Sequence, residues 1–163
     1  MTEYAKKYIK ANIPYFTKIP RKSRYTDPLK DSAWSITSDF CRVRDFINYG
    51  CCVSCGKPVE NYKCFDGGHY ESMGGNGALS GFNIMNVHGE CPDCNGFHNG
   101  KSVGYKFGET LKRRYGEDII GILHAVTLQT VKADDWYFIK IIEDRYKDLQ
   151  AIKRTDILFP EYI

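Results

Sequence analysis

Two Cys-x-x-Cys pairs, Cys52/Cys55 and Cys91/Cys94, constrain this chain more than any other feature. Four thiolates are the number a tetrahedral structural zinc takes, and a two-residue gap lets both sulfurs of a pair reach one ion. Gly56, directly after the first pair, suits the tight turn of such a knuckle. A redox motif leaves the second pair unexplained, and two disulfides need an oxidising compartment. Met1-Thr2-Glu3-Tyr4 leads into charged sequence rather than an apolar leader core, so a reducing, cytoplasmic setting is expected. Structural Zn²⁺ is therefore the expected occupant, with iron an alternative in the same site. Cys41, Cys51 and Cys64 are expected as buried thiols.

With 163 residues the chain has room for one domain and a small appended element. No stretch approaches the ~20 apolar residues a bilayer span needs, so no membrane is expected. Net charge is +3, but residues 1–30 carry eight Lys/Arg against Glu3 and Asp27. A basic arm on a near-neutral body suggests a polyanion partner. Pro14, Pro20 and Pro28 interrupt residues 1–33, which are expected to be irregular. A helix is predicted over 37–49, capped by Thr37 or Ser38 and ended by Gly50. Further helices are expected at about 104–115 and 117–128, and one beginning at Asp134 and Asp135. In that last helix Phe138, Ile141, Ile142, Tyr146, Leu149 and Ile152 make a stripe at helical spacing, for core or a dimer interface. The expected organisation is a basic arm over 1–33, a zinc-bound domain over 34–130 and a C-terminal helix and tail over 131–163. The fold class is α+β.

The long insert between the knuckles carries Asp66-Gly-Gly-His69, and Asn86, His88, Asn95 and His98 lie around the second knuckle. Hydrolysing a phosphodiester takes a base that works near neutral pH, which His provides. It also takes a hard divalent ion such as Mg²⁺ or Mn²⁺, held by carboxylate or amide oxygens. A strand bearing Asp66 and His69, facing a helix that starts near Cys94-Asn95, would supply both. On that helix Asn95, His98 and Asn99 share one face. His124 reads as structural, in an apolar helix. Lys101, Lys106, Lys112, Arg113 and Arg114 follow and are candidate DNA-phosphate contacts. The competing reading is a non-catalytic zinc module that binds nucleic acid.

The order Cys-x-x-Cys, His, Asn, Cys-x-x-Cys-Asn resembles the zinc-supported HNH, or His-Me finger (ββα-metal), nucleases. More closely, Phe40-Cys-Arg-Val-Arg-Asp45, Cys52-Val-Ser-Cys-Gly56, Asp66-Gly-Gly-His-Tyr70, Asn86-Val-His88 and Cys91-Pro-Asp-Cys-Asn95 resemble the phage NinG (Rap) recombination endonucleases. The resemblance covers about residues 34–150. It implies a ββα-metal core flanked by helices and a nuclease selective for branched DNA, such as Holliday junctions or forks. In a phage-encoded protein the setting is the host cytoplasm. By position, His69 would be the general base, Asn95 would hold the catalytic ion and Asn86 would brace the loop behind the base. Gly68 stands where many HNH enzymes have a ligand Asp. Asp66 would then either bind the ion through a bent strand or hydrogen-bond His69. His98 would be a further ligand or a phosphate contact. Two symmetric incisions at a four-way junction make a two-fold homodimer the economical expectation.

Overall fold

The computed structural model describes residues 27–72, 78–96, 104–129 and 133–154. These form helices α1 (Pro28–Tyr49), α2 (Ala78–Gly81), α3 (Pro92–Asn95), α4 (Gly104–Tyr115), α5 (Ile119–Thr127) and α6 (Asp135–Arg154). Strands β1 (Asp66–His69) and β2 (Val87–Glu90) and a 3₁₀ turn at Tyr62–Cys64 complete the set. The protein is thus of mixed α+β type. No helix among the described residues is long and apolar enough to cross a membrane. Most of the expected basic arm, residues 1–26, lies outside the described residues, as do His98, Asn99 and Lys101.

The first helix corrects the expected irregularity of residues 28–33 and the expected start at Thr37. Pro28 opens α1 rather than breaking it, because the first helical residue has no intrahelical use for an N–H. Asp27 Oδ1 accepts from the amides of Leu29 (2.8 Å) and Lys30 (3.3 Å), which is the capping contact. Thr37 is buried in mid-helix, where its hydroxyl donates to Ala33 O at 2.8 Å. Gly50, at φ +61°, ends the helix as expected, its amide donating to Phe46 O.

The chain divides into two compact units, Cys41–Val131 and a second made of Met1–Phe40 with Lys132–Ile163. In the second, Leu29, Ala33, Ile36 and Phe40 are buried along α1. Phe138, Ile142 and Leu149 of the expected stripe on α6 are buried within the single chain. The Arg145 guanidinium lies 5.1 Å from the Phe40 ring centre. Asp134 Oδ1 accepts from Tyr137 N and secures the start of α6.

The unit Cys41–Val131 is built on an antiparallel ladder that pairs Asp66 with Glu90, Gly67 with Gly89, Gly68 with His88 and His69 with Val87. A Cβ on Gly68 would come within 2.8 Å of Glu90 Cβ, so only glycine lets the Glu90 side chain cross the strand there. One apolar cluster gathers Val53, Phe107, Leu111, Ile119 and Leu123, with Tyr70 and Met85 against it. A second gathers Cys52, Phe65 and Cys91, with Phe46, Val59 and Cys94. Each fully buried Phe or Leu contributes about 1.5–3 kcal/mol. The two clusters pin the first knuckle to α4 and α5, and the thiols to the strands.

Candidate functional site

The four clustered thiols join the segments that carry the other candidate residues. Cys52 and Cys55 flank a turn in which Gly56, at φ +72°, donates to Cys52 O at 2.9 Å. Cys91 precedes α3 and Cys94 lies within it. All four Sγ atoms lie within 4.8 Å of one another, and Cys55 and Cys91 are 3.8 Å apart. Four Zn–S bonds of about 2.3 Å require sulfurs close to this spacing, so the donor set and its geometry fit Zn²⁺. Burial pushes the Cys52 thiol up to about 11, and burial with the Cys91 and Cys55 thiols beside it pushes Cys94 up as well. Burial opposes ionisation of Cys55 too, but the Lys57 amide and neighbouring thiols lower its pKa. Four crowded sulfurs resist ionising together until a cation compensates them. Cys41 is buried, but Cys64 is exposed and Cys51 half-buried, which corrects the expectation for those two.

His69 ends β1, half-buried. Its Nε2 lies 3.0 Å from Gly81 O at the end of α2. A carbonyl only accepts, so Nε2 carries a proton. Asn86, fully buried, ties the flanking loops together. Its Nδ2 donates to Glu71 O and Ser80 O, both at 3.0 Å, and its Oδ1 accepts from Glu71 N at 2.8 Å. These bonds hold the end of β1 against α2.

Asp66 and Asn95 meet: Asn95 Nδ2 donates to Asp66 Oδ2 at 3.2 Å on an exposed surface. The helix bearing Asn95 ends there rather than starting there, since Gly96 is extended at φ −82°, ψ 147°. Pro92 explains the shift, because a proline sets a helix start at its own position. Strand alternation separates Asp66 from His69, three residues on: they occupy opposite faces of β1, about 10 Å apart along it. Glu90, opposite Asp66, is buried and accepts from Ser54 Oγ. Burial, and the Asp66 charge after it, raise the Glu90 pKa despite that bond.

The candidate phosphate contacts on α4 divide by burial. Arg114 turns inward at 7% exposure, its Nη1 3.5 Å from Asp45 Oδ2 and its guanidinium 3.5 Å from the Tyr49 ring centre. Lys112 pairs with Glu109 at 3.0 Å. Lys106 and Arg113 are exposed.

The family model for the Bacteriophage Lambda NinG protein matches residues 18–155, most of the chain. This chain belongs to the NinG family. The family suggests a role connected with phage recombination. No curated protein and no solved structure matches the chain.

Sequence reading missed the buried charges that hold this NinG-family site in place. Asp45 Oδ2 lies 2.8 Å from His88 Nδ1 and accepts from Gly89 N at 2.8 Å, and Oδ1 accepts from Arg44 Nε at 2.7 Å. Arg44 also donates to Ile84 O and Val87 O, which fastens α1 to the segment entering β2. Adjacent Arg44 and Asp45 on a helix with an apolar face was the available signal. His124, expected as structural, is instead 64% exposed, with Nδ1 3.6 Å from Glu71 Oε1.

Proposed function

We propose that this NinG-family chain is a metal-dependent endonuclease that hydrolyses phosphodiester bonds in branched DNA, a four-way junction or a fork, at an HNH-type (ββα-metal) site. The observation that carries the reading is the Gly81 carbonyl on His69 Nε2. It keeps a proton on Nε2, which makes Nδ1 the basic nitrogen of the ring when His69 is neutral, as general-base catalysis needs. The exposed Asp66–Asn95 pair, beside the cysteine cluster, offers carboxylate and amide oxygens suited to Mg²⁺ or Mn²⁺. A divalent ion bound there would offset phosphate charge on the DNA strand whose phosphodiester the His69-activated water attacks.

Among the described residues, no strand pairs with the outer edge of β1. A DNA strand lying along that edge meets Asp66 from one face and His69 from the other. His69 Nδ1 takes a proton from water, the water oxygen bonds to phosphorus, and the 3′ oxygen departs with the P–O bond pair and takes a proton from solvent, to which His69 then returns its own. The products are a 5′-phosphate and a 3′-hydroxyl. Asn86 keeps the loops behind His69 in register. Zn²⁺ on the four cysteines would hold the first knuckle against β2 and α3, and with them Asn95 beside Asp66. Paired incisions across a four-way junction imply a two-fold homodimer, testable by sedimentation at working concentration: a monomer on the junction would contradict it.

The test is cleavage of an end-labelled synthetic junction with Mg²⁺ or Mn²⁺. Wild type cuts; His69→Ala loses about 10²–10⁴-fold in rate while keeping its zinc and its junction affinity. A wild type that binds and never cuts in any divalent ion would leave a zinc module that binds DNA without cutting it.

A further inference from the structure

A cleft of about 300 Å³ opens between the Cys52–Gly56 knuckle and α4. Tyr105, Lys106, Thr110 and Arg113 line it on the helix side, and Val53 and Gly56 on the knuckle side. Tyr105 is 76% exposed, the highest value for a large apolar side chain among the described residues. An aromatic face left in water beside a cleft offers a flat platform on which another ring can stack.

The cations beside it point the same way. On the same helix Lys112 is paired with Glu109, and Arg114 is turned in to Asp45. Lys106 and Arg113 have no carboxylate partner among the described residues. Arg113 Nη2 donates to Thr110 Oγ1 at 2.8 Å, which lays the guanidinium along the helix. Glu109 also lines the cleft, but Lys112 Nζ at 3.0 Å offsets its charge. Lys106 and Arg113 stand about 10 Å apart along the axis, enough to reach more than one phosphate.

We infer that this cleft takes an unpaired stretch of DNA, with a base stacked on Tyr105 and phosphates on Lys106 and Arg113. The inference rests on DNA being the substrate of the proposed nuclease. It names the part of a branched substrate this face holds, the nucleotides unstacked at the branch. Duplex DNA would engage the two cations but offers Tyr105 no open base face, so the exposed ring decides for a single strand.

The test is fluorescence anisotropy of a labelled oligothymidylate with the zinc-loaded full chain and no other divalent ion. Tyr105→Ala weakens binding roughly tenfold, while Tyr105→Phe, which keeps the ring face, binds like wild type. Lys106→Ala and Arg113→Ala each weaken binding and lower the salt slope by about 0.7. A matched duplex binds with no dependence on Tyr105. Zinc content and circular dichroism confirm that each variant is folded. If Tyr105→Ala binds oligothymidylate as tightly as wild type, or wild type does not bind it, the inference is wrong. Cleavage plays no part in this assay, so the two ideas fail separately. A protein that binds through Tyr105 and never cuts refutes the nuclease alone; one that cuts junctions and ignores Tyr105 refutes the cleft alone.

Discussion

Asp45, buried without exposure to solvent, serves Arg44, His88, the Gly89 amide and Arg114 at once. Burial alone would raise its pKa, but the His88 hydrogen bond and the Arg44 charge overcome burial and hold the carboxyl well below its usual range. A depressed carboxylate contributes stability that is present above its unfolded pKa of about 3.9 and is lost as pH falls toward the folded value. Burial also holds the His88 imidazole below its usual range. Below about pH 6.5 the unfolded chain therefore takes up a proton that the folded chain refuses, and stability falls further. Urea unfolding, with bound zinc monitored, should show stability falling steadily from pH 7 to pH 3. Asp45→Asn should cost about 3–5 kcal/mol at pH 7, because it leaves buried arginine charge uncompensated, and should flatten the curve below about pH 4. A wild-type curve independent of pH would refute this picture. Single residues were unevenly legible in the sequence. The cysteines were, because metal spacing is local. Asp45 was not, because His88 and the Gly89 amide lie more than 40 residues away and only tertiary structure brings them to it.

At the scale of elements, the knuckle, the ladder and α3 form one structure held at its corner by four thiols. The binding free energy of such a site is folding free energy. Cys52→Ala or Cys94→Ala should release the metal and lower the melting temperature of the zinc-loaded protein, read by calorimetry alongside elemental analysis. An unchanged melting temperature would mean that the cluster holds no metal. Gly68→Ala forces a methyl against Glu90, an overpacking cost of about 1–3 kcal/mol, measurable by urea titration. The helices over 104–115 and 117–128 were readable within two residues, because apolar periodicity marks them. The true start of α1 was hidden by a proline that looks like a breaker and acts as a first residue. The faces of β1 were open to reading as well: period-two alternation already separates Asp66 from His69. The expected convergence of those two side chains is not found, because they stand on opposite faces of β1.

At the scale of the whole molecule, family membership and the cysteine cluster set the frame, while the proposed chemistry rests on a few side chains of β1 and α3. In the proposed nuclease, Asp66 and Asn95 hold the catalytic ion while His69 activates water. Anomalous diffraction from crystals soaked in Mn²⁺ tests it most directly. The expected result is a manganese peak within bonding distance of oxygens from both Asp66 and Asn95, lost in Asp66→Ala crystals. Manganese bound elsewhere, in a protein that still cuts junctions after Asp66→Ala, would contradict it.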